Sequence, residues 1–185
     1  MASKPASVEK IQEPAFVKSE ALDPTGIVAL IPMRPYDIIG DFACGNASLT
    51  LPLARYAYWG RVYAIDTRQD VLDAVKGKSQ LARLGNIEPL LSKESSVPLG
   101  EASLDGAMLA SALSSASRPK GVLKEAFRLL KKGGWAAVIE LTRAEGKDAP
   151  GKPAEAVLEI ALEIGFKKVT LRPLNGTRYL LVLSK

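Results

Sequence analysis

Histidine is absent from the 185 residues, and only one cysteine, Cys44, is present. Without imidazole no Ser-His-Asp or Cys-His relay can be assembled, and the commonest zinc ligand and near-neutral proton shuttle are missing. No metal site is expected. Any general base must then be Asp, Glu, Lys or Tyr, or the chemistry must need little proton transfer from the protein. A lone cysteine forms no internal disulfide, and the opening MASKPASVEKIQEP lacks the apolar core of a secretory signal, so a reducing, cytoplasmic setting is the expectation. Long apolar runs are missing too: GIVALIPM, Gly26 to Met33, falls far short of the roughly 20 residues that span a bilayer. No membrane span is expected. The net charge of +5 raises nucleic acid as a partner, because clustered Lys and Arg release counterions from phosphates. Here the cations are scattered. Lys131-Lys132 and Lys167-Lys168 are only pairs beside element ends, where a cation suits a helix C-terminus or a solvated turn. That distribution does not favour a nucleic-acid partner.

What is present reads as one folded unit. Apolar residues make up 47% and charged residues 24%, ordinary values for a globular domain long enough to bury a sizeable core. Residues 1–18, with Pro5, Pro14 and no clean period, read as a flexible N-terminal arm, and 19–185 as a single domain. Asp23 is placed to cap a short helix that starts at Pro24 and ends before Pro32. From Tyr36 onward strand and helix patterns alternate. Strands are predicted over Tyr36–Phe42, Arg61–Asp66, Asn86–Leu91, Leu104–Leu109 and Trp135–Leu141, and helices over Ser48–Tyr58, Gln69–Leu84, Pro119–Leu130 and Ala154–Ile164. Pro89 cannot donate to a ladder, which assigns Asn86–Leu91 to an edge. Lys131 to Gly134 reads as a helix stop with a left-handed glycine. Strands Phe166–Arg172 and Arg178–Leu183 flank Asn175-Gly176, a hairpin signal. The order predicts an α/β fold: a doubly wound, Rossmann-like, seven-stranded, mostly parallel sheet with an antiparallel C-terminal hairpin strand.

The stretch DIIGDFACGNASLTLPLARY, Asp37 to Tyr56, carries the chemistry as strand, small-residue turn and helix. In such sheets ligands sit beyond the carboxyl ends of the strands where strand order reverses, and the first strand borders that crevice. Asp66 ends the next strand, 21 residues beyond Gly45, where a carboxylate can accept both hydroxyls of an adenosine ribose. Turn plus acid is shared by NAD and S-adenosylmethionine sites. A dinucleotide fold asks for G-x-G-x-x-G, and this turn lacks the glycines that approach a pyrophosphate. On packing grounds alone, Asp66 would cap the following helix.

DFACGNASLTLPLAR resembles the first motif of class I S-adenosylmethionine-dependent methyltransferases, and GRVYAID resembles their second strand with its ribose-binding acid. NIEPLLSKESSVPLGEASLDGAML is similar to the third strand, adenine loop and fourth strand of the branch related to quinone-biosynthesis C-methyltransferases. VLKEAFRLLKKGGWAAVIE is similar to that branch's helix, Lys-Gly-Gly turn and fifth strand. The resemblance runs from about Thr25 to the end in motif order. It implies S-adenosylmethionine as cofactor, with Asp41, Ala43, Gly45 and Asn46 lining the methionine moiety. It places Asp66 on the ribose hydroxyls, Thr67 beside the adenine, Lys93 and Glu94 in the adenine loop, and Ala110 where a backbone carbonyl meets the ligand.

Methyl transfer to a small-molecule acceptor is the implied activity. That cofactor carries its own leaving group, so alignment and exclusion of water are the protein's main tasks. Tyr36, Glu140 and Lys93 are candidates for deprotonating an acceptor, and none of them is singled out. The chain also departs from the family pattern. Ala43 and Ala47 stand for the outer two glycines, Lys93 for the usual acid of the adenine loop, and Leu113 to Ser115 for paired histidines. A non-catalytic module of this fold and an RNA-modifying methyltransferase are the two alternative readings.

Overall fold

The computed structural model describes residues 9–10, 23–142, 151–167 and 169–185. In chain order they form β1 (Glu9–Lys10), α1 (Pro24–Leu30), β2 (Ile38–Phe42), α2 (Thr50–Tyr56), β3 (Arg61–Asp66), α3 (Gln69–Leu81) and β4 (Ile87–Leu91). There follow β5 (Leu104–Ala110), α4 (Ala112–Ser115), α5 (Pro119–Leu129), β6 (Leu130–Leu141), α6 (Ala154–Ile164), β7 (Val169–Asn175) and β8 (Arg178–Ser184). One sheet takes the order β1-β7-β8-β6-β5-β2-β3-β4. Among these strands only β8 runs antiparallel, to both β6 and β7. This is the predicted seven-stranded α/β sheet with its C-terminal hairpin, extended by the two-residue β1 beside β7. The remainder of the predicted arm, residues 1–8 and 11–18, lies outside the described residues.

Central strands that are apolar on both faces are buried only when helices cover both sides. One face, with Ile39, Val62, Ala64, Met108 and Ile139, packs against α1, α2 and α3. The other, with Leu109, Val138 and Leu181, packs against α4, α5 and α6. In α5 the periodicity is visible: Val122, Leu123, Ala126 and Leu129 share one buried stripe. Burying each leucine contributes about 1.5–3 kcal/mol. Asp23 caps α1 through the Thr25 and Gly26 N–H groups, and β4 with Pro89 lies at the sheet edge, both as predicted.

Three of the local differences from expectation are these. First, α5 ends at Leu129 and Leu130 already pairs with Leu104, the ladder resuming at Gly106 with Trp135. Lys131 to Gly134 therefore bulge out of β6, and left-handed Gly133 (φ +78) serves that bulge, donating to the Lys185 carbonyl, rather than capping a helix. Second, the hairpin forms where predicted, but Gly176 is not at positive φ. Asn175 Oδ1 instead accepts from the Thr177 N–H and hydroxyl, an Asx turn. Third, α3 stops at Leu81 rather than Leu84, leaving Leu81 88% exposed.

Candidate functional site

Strand order reverses at β2, which has β3 on one side and β5 on the other, so the carboxyl ends of these strands open into a crevice. The chain leaves β2 through the turn 43–47, where Ala43 (φ +53), Gly45 (φ +51) and Ala47 (φ +63) are all left-handed. The turn is pinned by the Cys44 N–H donating to the Ile65 carbonyl and the Ala47 N–H to that of Cys44. Glycine adopts such φ freely, whereas an L side chain costs roughly 1–2 kcal/mol there. Glycine is thus favoured at the outer positions for conformation before any ligand is considered. The Ala47 methyl offsets part of the cost, since it is fully buried among Cys44, Ala64, Leu72 and Val75. Ala43 is exposed and has no such compensation.

Half-buried Asp66 faces the turn from the end of β3. Its Oδ2 accepts the Gly45 N–H at 3.3 Å and its Oδ1 the Arg68 N–H at 3.1 Å. The capping position of α3 is Arg68, so Asp66 fastens turn to strand rather than capping the helix. Each carboxylate oxygen retains a lone pair for a further donor. Lys78 of α3 donates to the Asn46 carbonyl at 2.7 Å, a brace that no sequence motif announces. Asp41 lies beneath the turn, buried, and accepts the Thr50 hydroxyl at 2.6 Å. Burial pushes its pKa up to about 7, the Thr50 hydrogen bond pulls the other way, and the neighbouring Asp66 charge adds to the rise. Burial, with Asp41 and Asp66 adding to it, also pushes up the Cys44 thiol, which removes it as a thiolate nucleophile.

A cavity of about 500 Å³ fills the crevice, and Ala43, Asp66, Thr67 and Glu94 of the predicted residues line it. That volume lies in the usual small-molecule range of about 300–1,000 Å³. Phe42, Ile65 and Val122 supply apolar wall, and Ser92, Ser115 and Ser117 polar points. Ser92 and Ser117 were missed in the sequence reading, and Ser115 was noted only as standing where the family has a histidine, although the run SALSSAS around Ser115 and Ser117 is a visible signal. The other predicted residues do not line the cavity: Asp41 lies below the turn, Gly45 and Asn46 are exposed on it, and Ala110 is half-buried at the end of β5. Lys93 is exposed on a turn closed by its own backbone pairing with Ser96. Glu94 Oε2 accepts the Ser117 hydroxyl at 2.5 Å and Oε1 the Arg118 N–H at 3.0 Å. These bonds, the hydroxyl foremost, hold its carboxyl below the usual range, so an ionised oxygen borders the cavity while tying the β4–β5 loop to α5.

Two of the suggested helper residues are placed elsewhere. Tyr36 precedes β2, at the opposite end of the sheet from the crevice. Glu140 is fully buried in β6; its Oε1 accepts the Leu113 and Ser114 N–H groups at 2.9 and 3.0 Å, while its Oε2 has no partner among the described residues. Its role in the described structure is to anchor α4 beside the cavity.

The family described as Methyltransferase domain matches residues 40–138. The chain is 28% identical over 130 residues to the demethylmenaquinone methyltransferase of Lactococcus lactis subsp. lactis strain IL1403, covering 70% of this chain and 48% of that protein. It thus spans about half the length of that curated relative. Among solved structures it is similar to a SAM-dependent methyltransferase from Aquifex aeolicus, with a TM-score of 0.79 and 21% identity, covering 88% of this chain and 89% of the other. The cyclase SpnF has a TM-score of 0.75 at 18% identity, covering 87% and 79%. These two likenesses are of fold. With the family match spanning more than half the chain and the turn, the strand-end acid and the sheet order all in place, the chain belongs to the class I S-adenosylmethionine-dependent methyltransferases.

Proposed function

We propose that this chain transfers a methyl group from S-adenosylmethionine to a small-molecule acceptor in the crevice at the carboxyl ends of β2, β3 and β5. The observation that carries this reading is Asp66, held by two backbone N–H groups with lone pairs to spare, facing a left-handed turn at the strand-order reversal. When bound, S-adenosylmethionine supplies an activated methyl group on its own leaving group. Asp66 accepts the two ribose hydroxyls, Thr67 sits beside the adenine, and Glu94 accepts the adenine amino hydrogen that Lys93 cannot. Asp41, Ala43, Gly45 and Asn46 would shape the turn that holds the methionine portion, and the Ala110 carbonyl, set back at the end of β5 outside the cavity lining, would reach the ligand only at its margin. Phe42, Ile65 and Val122 exclude water. All of these tasks are alignment and drying, which suits a chain without histidine.

The Lactococcus lactis relative is named for demethylmenaquinone, which makes that compound the first acceptor to test. Incubating the chain with S-adenosylmethionine and an acceptor panel should yield S-adenosylhomocysteine with at least one acceptor, and Asp66→Ala should lower the yield at least about tenfold at subsaturating cofactor. One observation favours a second reading, a non-catalytic module: Tyr36, Lys93 and Glu140 do not line the cavity. Cofactor binding without turnover on any acceptor would support that module over the enzyme.

A further inference from the structure

Eight large apolar side chains are exposed among the described residues, and those at the end of the sheet opposite the crevice include Tyr36, Tyr56, Tyr58, Trp59 and Leu81. The loops that carry them are tied into one rim. The Trp59 N–H donates to the Pro35 carbonyl at 3.0 Å and the Arg61 N–H to that of Asp37 at 3.2 Å. The Asn86 side chain donates to the Ala54 and Ala57 carbonyls at 2.9 and 2.8 Å, joining the α3–β4 loop to the end of α2. Trp59 is 76% exposed, Tyr36 58% and Tyr58 57%, far more than packing requires of such large rings. Several large exposed rings gathered on one rim, Tyr58 and Trp59 in contact among them, mark an interaction site. The methyl-transfer crevice does not use it, because β2 separates the two ends by roughly 15 Å at about 3.3 Å per residue.

Charge indicates what covers the rim. Arg34, Arg55 and Arg83 are exposed there and form no ion pair among the described residues, whereas Arg61 is paired with Glu88 at 2.6 Å. Asp37 is buried, accepting the Arg34 N–H and the Trp135 indole N–H. The rim therefore combines amphipathic rings with surplus positive charge. We propose that it docks on an anionic lipid surface. Trp and Tyr seat an apolar ring at the headgroup boundary with their polar tips wet, and arginines beside them meet the lipid phosphates. A second copy of the chain is a poorer occupant, because an isologous contact would set like-charged arginines against each other. Single-stranded RNA fits less well, because the Tyr58 and Trp59 rings pack on one another at 4.8 Å and 58° instead of presenting parallel faces to bases. Docking by the rim leaves the crevice open to water on the far side.

The test is co-sedimentation of the full chain with phosphatidylcholine vesicles and with vesicles that also contain phosphatidylglycerol, read alongside tryptophan emission. Trp135 is buried, so a blue shift reports Trp59. Binding is expected to the anionic vesicles alone and to weaken as salt is raised. Arg34→Gln with Arg55→Gln should weaken partitioning about thirtyfold, at about 1 kcal/mol per arginine. Tyr58→Ser with Trp59→Ser should abolish the binding. Both pairs are exposed, so their melting temperatures should match the parent's. The proposal is overturned if anionic vesicles do not bind, if either double variant binds like the parent, or if the same variants disrupt RNA binding or self-association while vesicles are ignored.

Discussion

Replacing Ala43 and Ala47 singly by glycine separates conformation from packing in the first turn. Both residues are left-handed, and relieving that geometry is worth roughly 1–2 kcal/mol. Glycine also frees the unfolded chain, which takes back about 0.4–1 kcal/mol. For exposed Ala43 nothing else changes, and Ala43→Gly should stabilise the ligand-free protein by about 0.5–1 kcal/mol. Ala47→Gly gains the same amount but empties a fully buried methyl site among Cys44, Ala64, Leu72 and Val75. That loss is about 0.8 kcal/mol before any void is counted, leaving the variant neutral or slightly destabilised. The two variants should differ by roughly 1 kcal/mol, or about 2–4 °C in melting temperature for a chain of this size. Thermal and urea unfolding of both variants would measure it. A lowered melting temperature for Ala43→Gly, or equal shifts for the two, would refute the reasoning.

Two further outcomes follow from the same geometry. Asp41 keeps its proton up to about pH 7 in the folded chain but ionises from its ordinary 3.8 when unfolded; between those values the native state holds more protons, so rising pH removes stability. Asp41→Asn retains an acceptor for Thr50 and should flatten that slope and exceed the parent's stability above pH 7; urea midpoints across the range check it, and an unchanged slope contradicts it. A Cβ at Gly106 would stand 2.1 Å from the Trp135 ring, so Gly106→Ala should cost about 1–3 kcal/mol or more in thermal unfolding; a variant as stable as the parent would show that the ring can move.

Much of the fold was legible because burial leaves a periodic trace. β3 and α6 fall on the predicted spans, Arg61–Asp66 and Ala154–Ile164, and Pro89 marked the edge through its missing donor. Boundaries slipped where a tertiary contact decided them, as at Lys131 to Gly134, where pairing of Leu130 with Leu104 overrode the helix-stop pattern. Within the site, Asp66 was legible as a strand-end acid beside a small-residue turn. The left-handed conformations at Ala43 and Ala47 were not, because alanine carries no signal for positive φ. Lys78 on the Asn46 carbonyl and Glu140 on α4 join residues 32 and 27 positions apart, beyond any local pattern. Tyr36 was a candidate only as a possible proton acceptor, and strand direction carries it to the opposite end.

Calorimetric titration of S-adenosylmethionine into the ligand-free chain and its Asp66 variants tests the central claim. Two ribose hydroxyls donating to one carboxylate form charge-assisted bonds worth roughly 1.5–3 kcal/mol each. Loss of the Gly45 and Arg68 contacts alone should cost Asp66→Ala about 1–2 kcal/mol of folding stability, so Asp66→Asn, which keeps one acceptor oxygen, is titrated beside it. Saturable binding by the parent is predicted, with both folded variants weaker by at least about tenfold, or about 1.4 kcal/mol. Absence of parent binding at millimolar ligand, or undiminished binding by either folded variant, would contradict the account.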